Sequence, residues 1–248
     1  ALCLDANTTG NYNSAFGQGA LGKNTTASQN TALGYTSLLN NTTGANNVGS
    51  GFESLLANTN GAGNVAIGSS ALSANTTASD NTGIGFRALR LNTTGAKNVA
   101  VGSNSLDANT TGQFNTAVGY DALTSNVSGV SNVAVGTYAL LTNTANQNTA
   151  VGVTALQLNT SGTANTGIGF QTLVQNTTAS NNTAVGNNAL VVNTTGAGNV
   201  AVGSAALDAN TTASNNTAVG YHSLSANTTG TGNVAVGTEA FRDNTTGS

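Results

Sequence analysis

Residues 216–230 read NTAVGYHSLSANTTG, residues 115–129 read NTAVGYDALTSNVSG, and residues 182–196 read NTAVGNNALVVNTTG. Counting the leading Asn as position one, fourteen copies of this phrase begin between Asn13 and Asn233. They lie seventeen residues apart, except for sixteen between Asn132 and Asn148. A partial copy, CLDANTTG at 3–10, aligns with SLDANTTG at 105–112. The chain therefore reads as a single repeat array over 1–248, with a partial repeat over 1–12 and fourteen repeats over 13–248. No second domain is expected. Fixed-period self-similarity of this kind marks stacked architectures, in which each copy rests on its neighbours.

The columns differ in chemistry. Position one is always Asn, position two is Thr or Val in all but Ser14, position three is Ala or Gly, and position five is always Gly. Position nine is Leu in every copy but the last, where it is Phe241, and position twelve is always Asn. A β-branched residue, a small one, another apolar one and then Gly spell a short strand and its end. Positions two and four share one strand face, and the small residue at three points the other way. That small face is expected to pack closely on something, including other chains. Gly at five suits a left-handed or close-approach turn. Leu at nine is expected on a second short strand, and NTTG or NTTA forms the next corner. No apolar stripe of helical period is present, and Gly and Asn are abundant, so helix is not expected.

Two strands and two turns in seventeen residues describe an all-β fold, a β-solenoid (parallel β-roll or β-helix) in which like residues stand above one another. The ladder columns are exemplified by Asn64, Asn81, Asn98 and Asn115, by Gly68, Gly85, Gly102 and Gly119, and by Leu72, Leu89, Leu106 and Leu123. Stacked Asn amides bond from rung to rung, as in cross-β assemblies. Two large apolar side chains per coil fall well short of the entropy of ordering seventeen residues. Stacking is therefore essential, and a homo-oligomer, possibly joined end to end, is expected.

The strand motif N-[TV]-A-[VI]-G-x-x-[AS] stands at 64–71 as NVAIGSSA, at 98–105 as NVAVGSNS and at 115–122 as NTAVGYDA. It resembles the head repeats of YadA-like trimeric autotransporter adhesins. The whole phrase is also similar to repeats of bacterial and phage tail-fibre-like proteins. The resemblance covers essentially the full chain, whose L..NTTG half is longer than the usual adhesin repeat. It implies a left-handed, trimeric β-roll on a bacterial or phage surface appendage.

Composition narrows the chemistry. Charged residues are 5% of the chain and the net charge is −3, so neither nucleic acid nor an anionic membrane is an expected partner. No run of about 18 apolar residues is present, so no membrane insertion is expected from this segment. The absence of Met reads as a mature or internal segment. His222 is the lone histidine, at variable position seven, and reads as a solvated surface residue. Cys3 stands in a column of Ala, Ser and Thr and reads as a small buried residue. The carboxylates are scattered over several columns and match no calcium loop, and no Gly cluster forms a phosphate loop. No catalytic residue, metal ligand or cofactor is expected, and the chain does not read as an enzyme.

Three further readings attach to particular columns. Asn75, Asn92, Asn109, Asn176, Asn193, Asn210 and Asn227 each begin an N-x-[ST] acceptor for N-glycosylation, or else are turn and ladder residues. Thr columns on a flat solenoid suit ice binding, although no T-x-T pair stands within a strand. Tyr35, Phe52, Phe86, Tyr120, Phe170 and Tyr221 at position six either pad corners or form a patch for a carbohydrate or host surface. The expected function is an extracellular structural fibre, a stiff spacer. The alternatives are an adhesin head that binds glycan or host, and an ice-binding solenoid.

Overall fold

The computed structural model describes residues 2–247, which form two compact units, Ala1–Gly129 and Val130–Ser248. The first unit carries β1 (Ser14–Phe16), β2 (Thr31–Leu33), β3 (Val48–Ser50), β4 (Val65–Ile67), β5 (Thr82–Ile84), β6 (Val99–Val101) and β7 (Thr116–Val118). The second carries β8 (Val133–Val135), β9 (Thr149–Val151), β10 (Thr166–Ile168), β11 (Thr183–Val185), β12 (Val200–Val202), β13 (Thr217–Val219) and β14 (Val234–Val236). Within each unit every strand pairs in parallel with the next in sequence, position two against position two. This is the expected all-β solenoid of seventeen-residue coils, and no helix occurs among the described residues.

The coil of Asn81 to Lys97 shows how the sequence closes. Thr82, Gly83 and Ile84 form β5. Gly85 then turns the chain at φ +134°, and a Cβ built there would lie 2.5 Å from the carbonyl oxygen of Gly102 one coil on. Both the dihedral and the close approach require glycine. Three overlapping turns follow: Ala88 N–H donates to Gly85 O, Arg90 N–H to Arg87 O, and Asn92 N–H to Leu89 O, at 3.3, 3.3 and 3.1 Å. Arg87 and Leu89, the third residues of the first two turns (85–88 and 87–90), sit at φ +57° and +53°.

The expected second strand around Leu89 is therefore absent. Left-handed φ at the third residue is the demand of a type II turn, and Leu pays a steric penalty of about 1–2 kcal/mol there. The gain lies between coils. Arg87 N–H donates to Ser69 O in the coil before, Leu89 N–H to Ser105 O in the coil after, and Lys97 N–H, also left-handed at φ +60°, to Ser79 O. Each left-handed residue thus turns its amide along the stack. Leu72, Leu106 and Leu123 repeat the geometry at φ +51°, +52° and +54°.

The interior is made of Leu at position nine, small residues at three and eight, and Asn at one and twelve; Ala88, Leu89, Asn92 and Asn98 are all fully buried. The small-residue face, expected to be shared with other chains, is this interior. A Cβ placed on Gly83 would stand 3.3 Å from Leu72 Cγ, so position three must be small to admit the Leu column. Positions two and four point outward and are half-buried or exposed.

Candidate functional site

Two kinds of surface remain once the interior is closed: the outward face of the strands, and the corners. On the strand face, in-register pairing aligns Thr or Val at position two and mostly Val or Ile at position four into straight columns. In the second unit the order at position two is Val133, Thr149, Thr166, Thr183, Val200, Thr217 and Val234. Ile168 is 40% and Val202 36% exposed. The five basic and eight acidic side chains of the chain stand at positions seven, ten, eleven and seventeen, so the strand face carries no charge.

Position six flanks this face. Tyr35 and Phe52 stack with ring centroids 5.4 Å apart and planes 9° from parallel, and the Arg87 guanidinium lies 4.8 Å from the centre of the Phe86 ring. Tyr120, Phe170 and Tyr221 are about half exposed. Stacking of coils thus brings together rings that the sequence places seventeen residues apart, as Tyr35 and Phe52 show.

The corner Asn residues do a different job from the one their N-x-[ST] setting suggests. Asn75, Asn92, Asn109, Asn176, Asn193, Asn210 and Asn227 are all fully buried. The Asn92 amide donates to Asn75 Oδ1 at 3.0 Å and to Gly95 O at 2.9 Å. The other six repeat both bonds. A sugar on Nδ2 would replace one of these protons at a site without solvent access. The Asn column at position one forms a second ladder: Asn81 N–H donates to Asn64 Oδ1 at 3.0 Å, and its amide donates to Gly95 O at 2.9 Å. Gly95 O thus accepts from both ladders. Asn98 and Asn115 continue the series. A third ladder runs beside them, from Thr93 Oγ1 to Thr110 O at 3.1 Å.

The one-residue deletion falls in this corner. Asn143 bonds to Ala145 O two residues on rather than three, while Asn159 still reaches Asn143 Oδ1 at 2.7 Å. Val133 still pairs with Thr149, so the shorter corner leaves the strand register intact.

Ionisable groups meet in two places. Arg90 binds Asp107 in the next coil through two bonds of 2.7 and 2.9 Å, and the hydrogen-bonded carboxylate raises the guanidinium pKa further above its ordinary value. In the second unit Asp208, His222, Arg242 and Asp243 line an open cleft of about 680 Å³ together with Val191 and Val192. Burial pushes the Asp208 carboxyl up, nearby His222 opposes this, and Asp208 Oδ1 is buried without a partner. His222, expected as a solvated residue, is half-buried and lies edge-on to Tyr221 at 4.3 Å. Cys3, expected to be buried, is exposed. No cluster of three or more His, Cys, Asp or Glu side chains that could hold a metal occurs among the described residues.

No protein-family model, curated protein or solved structure matches the chain.

Proposed function

We infer that this protein is a structural fibre segment, an extracellular scaffold whose task is mechanical: to hold what it carries at a distance on a stiff, protease-resistant support. The observation that supports this reading most directly is the set of buried ladders. In the coil of Asn81 and Asn92, the Asn side chains bond to the coil before it and to a shared corner carbonyl, and most other coils repeat the arrangement. A coil that opened would strand several buried polar groups at once, at about 1–3 kcal/mol each. Bending or local unfolding is therefore opposed all along each unit, which is what a spacer needs. The low charge and the resemblance to surface-fibre repeats agree with an extracellular setting.

Hydrogen exchange and limited proteolysis of the full chain test it. A scaffold shows slow, even exchange at the inter-coil amides of every coil and no saturable binding on a glycan array. Rapid exchange through several consecutive central coils overturns it. The half-exposed aromatic residues favour a second reading, an adhesin head. An array hit abolished by Tyr35→Ser with Phe52→Ser would favour that reading instead.

A further inference from the structure

We propose that the outward strand face of the second unit, β8–β14, is an ice-binding surface. Its ligand would be crystalline water, held by in-register columns of Thr and Val or Ile. This goes beyond the mechanical reading and does not rest on it.

The spacing carries the argument. Parallel strands stand ~4.8 Å apart, and residues two and four of one strand lie ~6.6 Å apart. In a tetrahedral water network with O···O ~2.75 Å, second neighbours lie ~4.5 Å apart and the layer repeat is ~7.3 Å. Both directions therefore agree to within ~10%. Aligned at the middle of the seven strands, the 0.3 Å difference between ~4.8 and ~4.5 Å reaches only ~0.9 Å at either end, about a fifth of a lattice period, so each rung stays near its lattice row. Register is held throughout: Thr149, Thr166 and Thr183 stand opposite one another, and Thr217 follows after Val200.

Chemistry selects water over a second copy of the chain. Protein interfaces concentrate aromatic anchors at their centre, and these two columns of the second unit have none. Thr149, Thr166, Thr183 and Thr217 are half-buried, and their hydroxyls take part in no hydrogen bond within the protein. Covering them with another apolar face would desolvate four hydroxyls unpaired, whereas an ice layer bonds each one and leaves the Val and Ile methyl groups between its oxygens. No charge interrupts the face. The T-x-T pair missing from the sequence is replaced by Thr-Ala-Val, with the Ala turned inward.

The test is partition of the full chain into slowly growing ice, with crystal shape recorded beside it. The expected result is enrichment in the ice fraction and faceted crystals. Thr166→Lys with Thr183→Lys should lower the enrichment several-fold at unchanged circular dichroism. Thr195→Lys, on an exposed corner away from the face, should leave it unchanged. Exclusion of the unmodified chain to the level of an inert protein overturns the proposal, and so does equal enrichment in all three proteins. A multimeric mass by light scattering that falls to the monomer in the Thr166/Thr183 variant also overturns it, and assigns the face to a second copy.

Discussion

The Asn92 side-chain amide reaches Asn75 Oδ1 at 3.0 Å across seventeen residues of sequence, with both side chains fully buried. The bond joins two coils at the place where each changes direction, and Asn92 also holds its own corner through Gly95 O. Asn92→Ala removes both bonds and also the one that Asn92 Oδ1 accepts from the Asn109 amide at 2.7 Å, and leaves Asn75 Oδ1 without its partner, at a cost of about 2–4 kcal/mol. Thr94→Ala, at the exposed neighbour two residues on, should be nearly neutral. Urea midpoints of the two variants compare them, and equal midpoints would remove the ladder's claim to stability.

Glycine at position five and glycine at position three differ in what they permit. Gly83→Ala puts into β5 the residue that the same column holds at Ala66 and Ala100, and should change the midpoint little. Gly85→Ala demands φ near +134° of an L-residue and drives a methyl toward Gly102 O. A loss of at least about 2 kcal/mol is expected. Thermal melts of the pair decide it.

Leu89 and Arg90 are adjacent but face opposite ways. Leu89→Asn removes a fully buried side chain from the central column and should cost at least the about 2–5 kcal/mol of a Leu→Ala core truncation. Arg90→Asn forfeits a partly exposed ion pair with Asp107, at about 1 kcal/mol or less. Protease cleavage near this coil should therefore be faster in the Leu89 variant, and equal cleavage would contradict the assigned interior.

Asp208 introduces a pH dependence. Its carboxyl is raised by burial, so the folded chain holds this proton more tightly than the unfolded one. A raised folded pKa contributes stability below the ordinary aspartate range, near ~3.9, and that contribution is lost as pH rises through the folded value. Asp208→Asn, which keeps the shape without the charge, should therefore melt above the unmodified chain at pH 7. The difference should shrink as pH falls through the aspartate range. A variant that melts lower at pH 7 would show that His222 outweighs burial.

The repeated phrase by itself determined the coil length, the parallel stacking, and the need for Gly at position five and Asn at positions one and twelve. Each of these requirements is local and recurs in every copy, so a column states it directly. Alternation along NTAVG also separates two strand faces, but it does not say which is interior. Closure of the coil decided that: the space beside the Leu column admits only Ala or Gly, so the larger Val and Ile side chains were left outside. The left-handed φ of Leu89 was hidden for the same reason. Its apolar side chain reads as a strand residue, whereas its backbone is set by the amide it must turn toward the next coil. The N-x-[ST] triplets look like surface acceptors until the coils stack, because only stacking surrounds each Asn amide with the carbonyl and neighbouring amide that bury it.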